Sequence, residues 1–532
     1  MVYIAPSSQI YILTGVPLDK TYDHTLWWPK VEGGASLQEA YFRTKIKYTF
    51  GDQYYQRAGK GSLRISTVAD NLYDCNYIMF RNTAFGTKWF YAFIKKVTYI
   101  NNNVSEIEYE IDSMQTWYFE VDLRECLVER EHTTTDNIGD NLVPENLELG
   151  EYVSEAPTST AMYTNVLYIV IAATWRYDAA TGSYIDYGGG TYSGMFTGLC
   201  YNIFTNDLQG RQEAADCILN AGSKADGIVA VFFAPMLFYT TGDPSPIQIS
   251  VNKHLTSFGG YTPHNNKLYT YPYNFLYITN YQGNSAIYRY EFFKDSEGHD
   301  ITTCPMTLKG DFSPSTSVML YPKNYKGVAE NYDEMVQLKG YPQIAYATDA
   351  YKAWLAQNTA SLTTSFISSS VTAGIGAGGA IAVGSALFTA SPALVAAGAV
   401  ASVASAGARL LAQVYEHSIM PHQAHGNQGG TLMIANNLLA FGLYPKHITG
   451  EFAEIIDRYF DMYGYACHKV KVPNTCVRNH WTFTKTIGCK IVGNIPCDEE
   501  EKICSIYNNG ITFWVNPNEV GDYSLDNRLG GS

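Results

Sequence analysis

Residues 88–112, KWFYAFIKKVTYINNNVSEIEYEID, decide the reading of the fold. Two runs rich in aromatic and β-branched residues flank Asn101, Asn102 and Asn103. Asparagine tolerates left-handed backbone and bonds its own main chain, so this pattern predicts a tight β-hairpin. In the second strand Glu106, Glu108, Glu110 and Asp112 share one face at period two, with Ile107, Tyr109 and Ile111 on the other. Stacked carboxylates are compatible with the acid and base of a glycosidase or with an acidic strip facing water or a channel. Like charges adjacent on one strand face, with no Pro/Gly cleft signal nearby, favour the solvated strip.

Working outward, residues 41–50 alternate and residues 77–80 form a short apolar run, so residues 1–150 read as strands. Residues 151–345 are polar-aromatic and loop-rich, with exposed turns at 177–184 and 188–190. Strand-like runs recur at 165–173, 227–239 and 271–279, and a short helix is expected over 209–220. Towards the C-terminus, Phe452, Ile455, Ile456, Tyr459, Phe460 and Tyr463 mark one face of a helix that starts near Thr449 and stops at Gly464. A second helix is expected near Cys497, where Asp498, Glu499, Glu500 and Glu501 complement the dipole of its first turn. Strands are expected at 480–488, 489–492 and 511–515.

Only 16% of the residues are charged while 43 are tyrosine, which favours a β-rich, loop-rich chain over a helical one. A formal charge of −14 argues against nucleic acid as a tight ligand, since phosphate affinity comes from clustered Lys and Arg, though not against the passage of nucleic acid through a repulsive conduit. The N-terminus shows no secretory signal pattern. Ten cysteines without a C-x-x-C pair read as buried free thiols of a protein made in a reducing cytosol. His417, His422 and His425 lack a partner carboxylate nearby and read as a polar loop, so no metal and no cofactor are expected. No catalytic motif stands out.

Residues 353–408 contain no Asp, Glu, Lys or Arg. An uncharged run of this length exceeds the roughly 18–20 residues of a membrane-spanning helix. Ser391-Pro392 divides it into limbs at 371–390 and 393–413, the outline of a helical hairpin turning at Pro392. Val371, Gly374, Gly378, Ile381, Val383, Leu387 and Phe388 on the first limb, and Leu394, Val395, Val400 and Val403 on the second, are the candidate membrane-active positions. The many glycines make one copy a poor helix, but small residues such as Gly374-x-x-x-Gly378 permit close packing between helices. The expected behaviour is conditional insertion in company. A Gly/Ala-rich linker and a buried core hairpin are the competing readings.

YIMFRNTAFGTKWFYAFI from Tyr77, YEIDSMQTWYFEVD, and LVEREH at 127–132, with NGITFW at 509–514 and GDYSLDN at 521–527, resemble the distal tail (tail knob) proteins of phi29-like short-tailed phages. The resemblance covers roughly 1–150 and 430–532, and residues 151–345 depart from it. It implies a virion protein, made in the host cytoplasm, that forms a homohexameric β-rich tube. That tube would join an upper tail or collar protein and a tail-tip protein, with viral DNA passing through the lumen unbound. It also implies that the apolar loop, here about 361–413, plugs the tube and is expelled to form a channel in the host membrane. The expected fold is mainly β with minor α. A barrel-like tube from residues 1–150 and 431–532 would carry an inserted β-rich domain at 151–345 and the hydrophobic loop and its flanks at 346–430. The alternatives are a wall-degrading enzyme using residues 106–112 and an adhesin using the aromatic middle.

Overall fold

The computed structural model describes residues 8–53, 61–83, 86, 88–156, 159–162, 167–187, 190–192, 195–205, 207–235, 246–310, 317–339, 343–344 and 440–529. They form two compact units. The first comprises Met1–Leu149, Gly259–Leu268 and Gly450–Ser532, the second Gly150–Phe258 and Tyr269–Thr449.

In the first unit the hairpin forms as expected, with strands Phe90–Asn101 and Val104–Ile111. The Asn103 N–H donates to Asn101 Oδ1 at 2.9 Å, closing the turn locally. The hairpin lies in a six-stranded antiparallel sheet ordered Ile46–Gln53, Ser8–Thr14, Cys75–Asn82, Phe90–Asn101, Val104–Ile111, Ser62–Ile65. Alternation sends Ile10, Ile12, Ile78, Phe80 and Ile107 into one core and Tyr11, Leu13, Tyr77, Met79 and Tyr91 into another, so the centre of the sheet is buried on both faces. The expected strand over 41–50 begins only at Ile46, because residues 41–44 end the helix Gly34–Thr44. Gly34, Gln38 and Phe42 are its buried residues, spaced for one helical face. Phe42 lies 5.3 Å from Tyr77 and 4.6 Å from Tyr91, so an aromatic cluster overrides the short alternating pattern.

A second sheet runs Thr25–Leu26, Ile511–Trp514, Trp481–Ile487, Cys126–Glu131, Tyr465–Lys471, and its Trp481 and Trp514 are fully buried. The expected helices are present as Gly450–Tyr463 and Cys497–Asn509. The first buries Ala453, Ile456, Asp457 and Phe460, while Ile455 is exposed, so its buried stripe is centred differently from the expected one. Buried Asp457 captures the loop that begins at Gly259. It accepts from Tyr261 Oη at 2.8 Å, from the His264 and Asn265 N–H groups at 2.5 and 3.0 Å, and from Asn265 Nδ2 at 2.7 Å. Those bonds place this short loop in the first unit. In the second helix Glu499 is also buried and accepts from Ser113 Oγ at 2.6 Å, a tertiary role beyond the dipole.

The second unit is likewise mainly β. The expected strands appear as Leu167–Ala173, Ile228–Pro235 and Asn274–Thr279, and the expected helix as Leu208–Leu219, capped by Asp207. Ala440–Ile448 is the central strand of a sheet, between Tyr152–Ser154 and Asn274–Thr279. A C-terminal part starting at residue 431 would therefore take in a strand that pairs within this unit, and pairing partners distant in sequence are the reason. All ten cysteines are free, seven of them buried, while Cys476 and Cys497 are exposed. No helix among the described residues is long and apolar enough to cross a membrane.

Candidate functional site

The structure divides the four predicted carboxylates. Glu106 is half-buried, Glu108 and Glu110 are exposed, and Asp112 is fully buried. Two of the first three are ion-paired. Arg64 Nε lies 3.3 Å from Glu106, Lys95 Nζ 2.8 Å from Glu110, and Lys96 pairs in register with Glu108. The strip is therefore a mixed-charge face, with Arg64 and lysines of the first hairpin strand set beside the glutamates of the second. Such surface pairs contribute about 0–1 kcal/mol each, so they set the electrostatics of the face more than its stability.

Asp112 leaves the strip because the strand ends there. It caps the short helix Ser113–Trp117, accepting the Gln115 N–H at 3.0 Å and the Tyr77 hydroxyl at 2.8 Å. Burial raises its carboxyl from the ordinary 3.8 to about 6, against the lowering effect of those bonds. A catalytic pair needs an acid and a base across a substrate-accessible gap. Here the desolvated carboxyl is sealed in the core and the accessible ones lie on a sheet face beside cations.

The second unit contains a cleft of about 440 Å³ lined by Tyr271, Ile287, Arg289, Phe292, Tyr325, Lys326 and Glu334. The Arg289 guanidinium lies 4.2 Å from the Tyr271 ring centre and Lys326 Nζ 5.4 Å from that of Tyr325, while Lys326 also pairs with Glu334. Burial raises the Tyr325 hydroxyl to about 12, so it stays protonated, and it accepts the Arg289 N–H at 3.1 Å. Sequence reading missed this cleft, which draws on four separate stretches of chain.

The candidate membrane-active positions, Val371, Gly374, Gly378, Ile381, Val383, Leu387, Phe388, Pro392, Leu394, Val395, Val400 and Val403, lie outside the described residues, as do His417, His422 and His425.

Residues 240–528 match the family model for the C-terminal domain of tail knob protein gp9 of Bacillus phage phi29. The chain belongs to the phi29 tail knob family. Residues 6–122 also match the N-terminal model of caudoviral major tail proteins. The tail knob protein gp9 of Bacillus phage phi29 is 24% identical over 99% of this chain and 100% of its own length, and that of Bacillus phage B103 matches equally. The tail knob protein gp12 of bacteriophage C1 shares the fold, with a TM-score of 0.60 at 13% identity over 98% of both chains. As a tail knob family member the chain is a structural protein of a phage tail, mainly β with minor α.

Proposed function

We propose that this tail knob protein builds the distal tail tube as a homohexamer and that residues 361–413 are its membrane-active segment. The single observation carrying the proposal is the absence of any Asp, Glu, Lys or Arg over residues 353–408 in a family member of the phage tail. One glycine-rich hairpin is marginal in lipid, whereas six copies supply about twelve small-residue limbs able to pack around a pore. Before infection the segments would shield one another inside the tube. After triggering they would enter the host cytoplasmic membrane and open a path for the genome. The upper tail and tail-tip proteins of the virion would flank the tube. The face bearing Glu106, Glu108 and Glu110 is the proposed lining of the DNA passage; its paired lysines and arginine would let DNA slide without strong attraction or repulsion. The test is dye release from liposomes by the full chain and by a chain lacking 361–413. Undiminished release by the shortened chain overturns the proposal. Hydrolysis of purified cell wall that is lost in Glu108→Gln would overturn the non-enzymatic reading.

One observation favours a second role in cell attachment: the Tyr271–Arg289–Tyr325 cleft offers aromatic faces beside fixed donors, the lining that saccharide rings stack on. Cell binding unchanged in Tyr271→Ala would overturn it.

A further inference from the structure

One arrangement of side chains among the described residues of the second unit joins residues remote from one another in sequence. Glu155, His254 and His447 each bring one possible ligand atom to a common point, all within 4.8 Å of one another. His447 sits on the central strand Ala440–Ile448 with its side chain fully buried, whereas Glu155 is partly exposed. Glu155 is set by the neighbouring strand Tyr152–Ser154, and its N–H donates to Pro445 O at 3.0 Å. His254 follows the strand Ile247–Asn252, and Asn274, directly across from His447, donates to its carbonyl at 2.5 Å.

The protons of the two rings follow from their partners. His447 Nδ1 lies 2.6 Å from Ile448 O and His254 Nε2 lies 2.9 Å from Ser257 O. A carbonyl oxygen only accepts, so each of these nitrogens carries the hydrogen. The other nitrogen of each ring is left with a lone pair, the tautomer in which histidines are held for metal ligation. His447 Nε2 then faces Glu155 Oε1 at 3.0 Å, one acceptor against another. Two acceptors at that distance require a positive charge shared between them, supplied by a metal cation or by a further ring proton. A proton serves only the His447–Glu155 pair, whereas a cation would also engage the third donor, the His254 lone pair. The Phe258 ring, 4.7 Å from that of His447, walls the site on one side. Among the described residues Asn274 Oδ1 is buried without a hydrogen-bond partner, a further oxygen in the same locality.

We propose that Glu155, His254 and His447 form a binding site for a divalent transition metal of the zinc class. Two imidazoles and one carboxylate suit borderline cations, and the exposed side at Glu155 leaves room for water as a further ligand. Bound metal would pin three chain segments together and act as a clasp on this sheet. Sequence reading expected no metal, and the spacing of these residues gives no local motif.

The test uses the full chain, stripped with chelator, dialysed and titrated with Zn²⁺ by calorimetry and with Co²⁺ by visible absorption. The expected result is one ion per chain, cobalt bands displaced by zinc, and a zinc-dependent rise in the unfolding midpoint. Glu155→Gln and His254→Asn, both at partly exposed positions, should each weaken binding at least about tenfold. Circular dichroism would establish that each variant is folded, and one folded variant suffices. Absence of stoichiometric binding to the wild-type chain, or binding undiminished in a folded variant, overturns the proposal.

Discussion

Acidification should weaken the first unit through one histidine, His132. It is buried just after the strand Cys126–Glu131, with both ring nitrogens committed. Nδ1 accepts the Phe483 N–H at 2.8 Å, and Nε2 donates to Asp461 O at 3.0 Å. A second ring proton would drive N–H against N–H. Burial, with the charges of Arg478 and Arg130 adding to it, lowers this imidazole from the ordinary 6.5 to about 3. The folded value lies below the unfolded one, so the contribution is fully present above pH 6.5 and is lost as pH falls, the slope ending near pH 3. At about 1.36 kcal/mol per unit, acidification from pH 8 to pH 5 costs about 2 kcal/mol, a large share of a typical 5–15 kcal/mol. His132→Asn isolates the effect, since its amide oxygen can accept from Phe483 but does not titrate. The variant should cost about 2 kcal/mol at pH 8 through the lost Asp461 bond and the space left. That deficit should shrink to near zero at pH 5. Urea unfolding followed by tryptophan fluorescence at several pH values measures it, and contributions of other groups cancel in the difference. A wild-type-minus-variant difference that does not change between pH 8 and pH 5 would refute the reasoning.

Asp112→Asn should show the opposite slope. Because its carboxyl is raised to about 6, Asp112 stabilises most below pH 4 and loses about 2 kcal/mol relative to the variant as pH rises from 4 to 7, readable by the same titrations. Asp457→Ala should destabilise the first unit by about 3–5 kcal/mol, because four donors lose their shared buried acceptor; thermal unfolding checks it, and a loss below about 1 kcal/mol would contradict the assigned bonds. Gly378→Leu or Ala390→Asp should abolish genome delivery while particles still assemble, as seen by electron microscopy and DNA-release assays; loss of the tail would instead place these residues in its wall. Changing Glu106, Glu108 and Glu110 together to Lys should slow genome exit from triggered particles and steepen its salt dependence, whereas unchanged exit kinetics would remove this face from the DNA path.

The local elements were legible wherever a pattern could close on itself. The hairpin of residues 90–111 needs only its alternating runs and its asparagines, and the helix Gly450–Tyr463 needs only its apolar spacing and Gly464, whose φ of 64° stops it. The helix Gly34–Thr44 was missed because its burial is set by Tyr77 and Tyr91, residues far along the chain. Asp457 was invisible for a related reason: a polar residue beside an apolar stripe reads as solvated until a distant loop supplies its donors.

The order of residues by itself determined the β-rich class, the hairpin, both C-terminal helices, the family resemblance and the uncharged stretch, since each is written in spacing or composition over a short window. Tertiary structure alone decided that Asp112 is sealed inside while Glu108 and Glu110 stay outside, that Ala440–Ile448 pairs within the second unit, and that Glu155, His254 and His447 meet. Periodicity says which side chains share a face. What that face meets depends on contacts between segments remote in sequence, and only folding brings those together.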